Sequence, residues 1–190
     1  METYKDTLLI GEDYIKSNSN IDFNMAGNYL FPAIYNAQFV ELQSIIGECL
    51  LSALQQKVFD QEIDLEDNVY YKDLLDRYIL IYLLHQVLSD VIIPISYKMN
   101  NGGLTIYEDD KLHHSTNAEI NLIRTYYREK ADVYKKRLQD YLCKNKSKYP
   151  ELGDCCNKNL YSSNSSGIWL GGYRGKIVDK DCCGGCGNDY

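Results

Sequence analysis

Two long apolar segments lie in the middle of this 190-residue chain, and they constrain its fold more than any other feature. In the first, Phe31–Leu54, apolar side chains recur at steps of three and four residues, which places them on one face of an α-helix. In the second, Tyr78–Lys98, apolar positions nearly encircle the helix, as expected for a helix that is surrounded by others. Both segments therefore predict a compact bundle of packed helices.

A third helix is predicted after the second apolar segment, and its start is the clearest in the sequence. Thr116 and Glu119 have the spacing of a capping box, in which each side chain accepts a hydrogen bond from the other residue's backbone N–H. One apolar stripe follows at alternating steps of three and four residues: Ile120, Ile123, Tyr127, Ala131, Tyr134, Leu138 and Tyr141. The predicted fold class is mainly α, with three main helices and short elements.

Proline and glycine residues predict where these helices start, bend and end. Pro32 suits the first turn of a helix, because its missing N–H would have no partner there. Gly47, inside the first helix, predicts a kink or a close helix crossing. Pro94 predicts the end of the second helix, and Asn100–Gly103 predicts a turn after it.

The composition of the chain changes after Pro150, where the helical pattern stops. We therefore expect a helical domain at residues 1–150 and an extended, irregular C-terminal arm at residues 151–190. The arm has too few apolar residues to fold alone, so we expect it to lie on the helices or on a neighbouring subunit. The residues expected to anchor it are Ile168, Trp169, Leu170, Tyr173 and Arg174.

Charge and hydropathy bear on the classes of partner. With a net charge of −7 and a pI near 5.0, the surface as a whole repels nucleic acid.

The N-terminus lacks the basic start and apolar run of a secretory signal. His85, Gln86 and Asp90 lie at the centre of the most apolar window, where a bilayer would penalise them. That window is predicted to be a core helix, and no membrane partner is expected.

Cysteines are the strongest candidates for metal ligands. The C-terminal ones could supply thiolates to a structural zinc ion: Cys155, Cys156, Cys182, Cys183 and Cys186. The first pair is adjacent, however, and the sequence has no second Cys-x-x-Cys knuckle, so free thiols are favoured over a metal site. Disulfides are the other alternative, and the lack of a secretory signal argues against them because it predicts synthesis in a reducing cytosol. Cys49 and Cys143 lie on predicted apolar faces and are expected to be core thiols.

Histidines and a basic cluster are weaker candidates for binding sites. His113 and His114 are expected in a solvated loop, and His85 as a hydrogen-bonded core or interface residue. The basic cluster could face nucleic acid or an acidic partner, but interspersed acids favour the solvated side of an amphipathic helix. Its members are Arg124, Arg128, Lys130, Lys135, Lys136, Arg137, Lys144, Lys146 and Lys148.

Catalytic sequence motifs are absent from the chain. It contains no P-loop, nucleophile elbow, zinc-protease helix or dinucleotide-binding loop. Asp64, Glu66 and Asp67 form a loop cluster rather than a spaced pair of carboxylates. We therefore expect a protein that is not an enzyme and uses no cofactor.

Five segments follow one another in a characteristic order: LLIGEDYIKSNSNID (Leu8–Asp22), LFPAIYNAQFVELQSIIGECLLSAL (Leu30–Leu54), Tyr78–Leu104, Glu119–Asn145 and GIWLGG (Gly167–Gly172). In this order and in its helix signature, the chain resembles the small head–tail connector proteins of tailed phages that infect Bacteroidetes, including the crAss-like group. These connectors are also called adaptor or ring proteins. The resemblance covers nearly the whole chain and rests on segment order rather than on a short diagnostic motif.

The resemblance implies a structural protein of the virion, assembled in the host cytoplasm. Such adaptors form a ring, commonly a dodecamer, beneath the portal protein, and they join it to other tail and ring proteins. They enclose the DNA channel without sequence-specific binding, and a terminal arm often reaches a neighbouring subunit. Cys182–Cys186 departs from the usual pattern of these proteins. The alternative is therefore a zinc-binding interaction or regulatory module that uses the C-terminal cysteines.

Overall fold

The structure, a computed structural model, describes residues 4–100, 103–106 and 116–152, and most of them are helical. The α-helices are α1 (Glu12–Ser17), α2 (Gly27–Asn36), α3 (Gln43–Phe59), α4 (Val69–Leu74), α5 (Leu80–Ser96) and α6 (Asn117–Lys144). Strands β1 (Tyr97–Asn100) and β2 (Gly103–Ile106) form an antiparallel pair between α5 and α6. The predicted mainly α helical bundle is confirmed.

The first apolar segment forms one long, bent helical run. Helix α2 begins at Gly27, so Pro32 lies in its second turn and the predicted start at this proline is wrong. A π-helical segment, Ala37–Leu42, joins α2 to α3 without a break. Inside α3, Gly47 has φ 79° and ψ 162°, a conformation that only glycine adopts easily. The predicted kink at Gly47 is therefore confirmed.

The second apolar segment also contains a π-helical insertion. Helix α4 continues through the π-helical residues Leu75–Ile79 into α5. Pro94 lies inside α5, which continues to Ser96, so the prediction that this proline ends the helix is wrong. Proline removes one backbone hydrogen bond and its ring crowds the preceding turn, and α5 continues for only two residues beyond Pro94.

One helix in the described part of the chain, Glu66–Ser96, is long and apolar enough to cross a membrane by length and composition. Its most apolar window has a mean hydropathy of 1.7, and half of that window is buried inside the protein. The core helix of a bundle has the same composition. The absence of a membrane partner therefore stays a prediction.

Helix α5 lies at the centre of the core. It packs against both α6 and α2, whereas α2 and α6 do not form an extensive interface with each other in the described regions. Each fully buried leucine or isoleucine stabilises the fold by about 1.5–3 kcal/mol. The largest fully buried side chains include Tyr82, Tyr149, Ile10, Ile15, Leu30, Leu50, Leu54, Ile79 and Leu83.

Helix α6 begins with the predicted capping box. Thr116 Oγ1 accepts a hydrogen bond from the Glu119 N–H at 3.3 Å, and Glu119 Oε2 accepts one from the Thr116 N–H at 2.7 Å. The predicted apolar stripe is only partly buried, since Ile123 is 46% exposed while Leu142, outside the prediction, is buried. Burial of one side of α6 therefore continues into its last turn.

Two buried glutamines hold the N-terminal segment against the first helical run. Gln38, in the π-helical segment, accepts a hydrogen bond from the Leu9 N–H at 2.7 Å and donates to the Thr7 carbonyl at 2.9 Å. Gln55 donates to the carbonyls of Lys5 and Thr7, each at 2.8 Å. Their amide groups supply the partners that this non-helical backbone would otherwise lack.

Candidate functional site

The residues predicted as partner contacts and metal ligands lie outside the described residues. These are the arm anchors Ile168, Trp169, Leu170, Tyr173 and Arg174, and the cysteines Cys155, Cys156, Cys182, Cys183 and Cys186. Among the described residues, no group of three or more His, Cys, Asp or Glu side chains is arranged to hold a metal ion. The zinc-site hypothesis therefore stays a prediction about the C-terminal cysteines.

The two cysteines that the structure describes are not the core thiols expected from the sequence. Cys49 and Cys143 are each half-buried, and both are disulfide-bonded. The prediction of buried free thiols is therefore wrong for these two residues. An apolar helical spacing indicates burial, but it carries no information about whether another sulfur atom lies within bonding distance.

Tyrosine and histidine rings fill the seam between α5 and α6. Tyr78 stacks on Tyr141 with ring centroids 4.1 Å apart, and His85 stacks on Tyr134 at 5.0 Å. The Nδ1 atom of His85 is buried and has no hydrogen-bond partner among the described residues, so ring stacking, rather than the expected hydrogen bonding, positions this side chain. Burial, together with the positive charge of Lys130, lowers the pKa of His85.

A second tyrosine cluster closes the end of the bundle. Tyr149 is fully buried, donates a hydrogen bond to the Tyr70 carbonyl at 2.9 Å and lies edge-on to the Tyr71 ring at 5.5 Å. Tyr71 Oη donates to Glu151 Oε1 at 2.8 Å. Burial, which is the larger cause, and the hydrogen bond to Glu151 together raise the pKa of Tyr71 to about 12. The Tyr71 hydroxyl therefore stays protonated, and the cluster joins the segment after α6 to α4.

An open groove of about 590 Å³ runs along the outside of the seam between α5 and α6. Its walls combine tyrosine rings with the cations Arg77, Arg137 and Lys144. The Nε atom of Arg77 lies 3.1 Å from Asp73 Oδ1, and the Arg137 guanidinium lies 5.2 Å from the Tyr134 ring centroid. Two of these three cations thus already have partners, and the groove is not a formed anion site.

Exposed apolar side chains on the first helical run form a surface that we call the α2 face: Phe31, Tyr35 and Val40. They are 54%, 49% and 59% exposed. Phe31 and Tyr35 are one helical turn apart, and the wider turn of the π-helical segment keeps Val40 near them at a five-residue step. The ring centroids of Tyr35 and Phe39 also lie 4.5 Å apart, and this contact helps to position the Tyr35 side chain.

A second exposed apolar surface, the α6 face, consists of Leu122, Tyr126 and Val133. They are 71%, 51% and 51% exposed and follow one another at steps of four and seven residues, so they share one side of α6. Leu122 lies two residues after the buried Ile120, and residues two apart on a helix differ in direction by about 200°. The α6 face therefore points away from the core.

Both faces were missed by reasoning from sequence alone. The aromatic pair Phe31 and Tyr35, and the apolar residues Leu122 and Val133 on the polar side of α6, were signals available in the printed sequence. An apolar residue in an amphipathic helix is ordinarily assigned to the core, and only the packing shows which ones are left outside.

Comparison with known proteins identifies a family whose function is not known. No curated protein matches the chain, and no solved structure matches it either. A family model described as "Family of unknown function (DUF6712)" matches residues 42–161, which is more than half of the chain. The matched region extends from the π-helical segment through α6 and includes both aromatic clusters. The chain therefore belongs to the family of unknown function DUF6712.

Proposed function

We propose that this chain is a structural protein of a phage virion, an adaptor subunit that forms a ring beneath the portal and joins it to the tail. The observation that carries the proposal is the pair of exposed apolar surfaces, the α2 face and the α6 face, on one helical bundle. Large apolar side chains that stay exposed on a folded domain are frequent at sites of protein association.

The exposed groups favour association over catalysis as the role of these surfaces. Tyrosine and phenylalanine are enriched where protein surfaces meet, because their rings exclude water over a large area. The order of the helical segments, which resembles that of phage connector proteins, supports the same function.

The overall charge is compatible with a channel that DNA passes through. A ring built from subunits of net charge −7 presents a negative average potential to a phosphate backbone, so the genome would slide instead of binding. The net positive charge of α6 is a local exception. We expect it to face protein.

The proposed function is tested by mixing the purified chain with a candidate portal protein and imaging the mixture by electron microscopy. Mass photometry of each protein alone and of the mixture gives the stoichiometry. The expected result is a ring of this chain docked on the portal. A W169A variant tests the expected arm contact, and we expect it to dock more weakly than the wild-type chain.

Failure to associate with any portal or tail component would overturn the adaptor function. Metal analysis of the same dialysed protein would then test the alternative. Stoichiometric zinc that resists dialysis, and loss of folding with a chelator, would favour a zinc-binding module.

A further inference from the structure

We propose that the disulfide bonding of Cys49 and Cys143 is a redox-sensitive lock, which ties α3 covalently to the part of the chain that begins at Cys143. In the oxidised protein the lock holds the last turn of α6 and the segment after it on the bundle. Reduction by a small thiol releases them. This inference goes beyond the proposed function and does not depend on it.

The first argument is the order of the cysteines along the chain. The sequence contains seven, and Cys49 is the first of them, followed by Cys143. The other five come later: Cys155, Cys156, Cys182, Cys183 and Cys186. Cys49 is disulfide-bonded within a single chain, so its partner is Cys143 or one of these five. Every such pairing closes a loop that contains α4, α5 and α6 as far as Cys143.

The second argument is the position of the two cysteines at the edge of the core. Cys49 precedes the buried Leu50 on α3, and Cys143 follows the buried Leu142 on α6. Both cysteines are half-buried, and α3 contacts α6 in the folded protein. A disulfide at such residues belongs to the packed structure and still meets solvent, which an attacking thiol needs in order to reach sulfur.

The third argument is that noncovalent contacts already hold this end of the bundle. Tyr149 is fully buried and donates a hydrogen bond to the Tyr70 carbonyl at 2.9 Å. The Nζ atom of Lys57, near the end of α3, lies 4.6 Å from the centroid of the Tyr71 ring. These contacts need no sulfur, so the reduced chain keeps its bundle. A chain segment held by a few contacts opens locally, however, and reduction therefore acts first on the end of α6.

The chemistry of the lock is thiol–disulfide exchange with a low-molecular-weight thiol. A thiolate of the reductant attacks one sulfur, the protein S–S bond breaks, and the other protein sulfur leaves as a thiolate that takes a proton from water. A second reductant thiolate cleaves the mixed disulfide. The products are two protein thiols and one small-molecule disulfide, so two electrons pass to the protein, and the reverse reaction restores the lock.

The state of each cysteine is measured on the full chain purified without reductant. Free thiols are alkylated with iodoacetamide, and mass spectrometry of proteolytic peptides under non-reducing conditions identifies the alkylated and the bonded cysteines. We expect Cys49 and Cys143 to resist alkylation until dithiothreitol is added. The same peptides give the partner of Cys49, which we expect at residue 143 or later in the same chain.

The effect of the lock is measured by hydrogen exchange and thermal melting. We expect dithiothreitol to raise the exchange rate of backbone N–H groups in residues 138–152 by at least about tenfold, with a smaller change in α5. The melting temperature of the wild-type chain should fall by about 5–10 °C on reduction.

Variants assign the response to the two described cysteines. C49S/C143S removes both sulfur atoms from the bundle, so its exchange rates and melting temperature should not respond to dithiothreitol. A53S is the matched control, because it places a serine at another half-buried position of α3 and keeps both cysteines. It should respond to dithiothreitol as the wild-type chain does.

Three results would overturn the inference. The first is alkylation of Cys49 and Cys143 before any reductant is added. The second is a wild-type chain whose exchange rates and melting temperature stay the same in dithiothreitol. The third is a C49S/C143S variant that responds to dithiothreitol as strongly as A53S, because the response would then come from the later cysteines. None of these measurements involves a portal protein, so they are independent of the test of the proposed function.

Discussion

The buried amide of Gln38 makes a prediction about stability that can be worked out from its contacts. The side chain is fully buried, accepts a hydrogen bond from the Leu9 N–H at 2.7 Å and donates to the Thr7 carbonyl at 2.9 Å. In a Q38L variant, leucine fills a similar volume but can make neither hydrogen bond. The Leu9 N–H would then be buried without its partner.

The expected cost follows from these two contacts. A buried donor left without a partner costs about 1–3 kcal/mol, and a lost hydrogen bond costs about 1 kcal/mol. The Thr7 carbonyl still accepts from Gln55, so no further penalty is expected there. Burying the additional apolar surface of leucine offsets part of the loss, which leaves about 2–3 kcal/mol of destabilisation. In a chain of this size, the melting temperature should fall by about 5–10 °C.

Urea unfolding followed by far-UV circular dichroism measures the free energy of unfolding, with an unchanged m-value as the check on compactness. Two leucine variants serve as comparisons. Q55L loses two hydrogen bonds but leaves no buried N–H without a partner, so after the same offset from the added apolar surface it should cost about 1 kcal/mol. Q56L alters an exposed neighbour and should be nearly neutral.

The order of destabilisation is therefore expected to be Q38L, then Q55L, then Q56L. If Q38L and Q56L had the same free energy of unfolding, the N-terminal segment would not depend on this amide. The reasoning from buried hydrogen bonds would then be refuted.

Three further predictions concern α6 and its contacts. L138A, which opens a cavity at a fully buried position, should destabilise the protein by about 2–5 kcal/mol, whereas L122A, at an exposed position on the same helix, should not. T116A removes the capping hydroxyl and should cost about 1 kcal/mol by urea unfolding. Because the folded-state pKa of His85 lies below the unfolded value of about 6.5, stability should fall as the pH drops below that value. H85Q should weaken this pH dependence, and an unchanged profile would assign it to other groups.

Much of the fold could be predicted from local patterns. The period of the apolar residues predicted the helices, the spacing of Thr116 and Glu119 predicted the start of α6, and the glycine at position 47 predicted a kink. Each of these depends on interactions within a few residues along the chain. The helix boundaries predicted at Pro32 and Pro94 were wrong, because tertiary packing can offset the lost hydrogen bond and the clash of the proline ring with the preceding turn.

The sequence by itself determined that this chain is a helical bundle, because helical periodicity is written in the order of apolar and polar residues. Only the tertiary structure decided which apolar residues stay outside the core. Leu122 and Leu138 have the same chemistry and lie on the same helix, yet one is exposed and the other is fully buried. Their difference depends on which side of α6 meets α5, a contact between segments far apart in sequence. The candidate association surfaces are what this contact leaves uncovered.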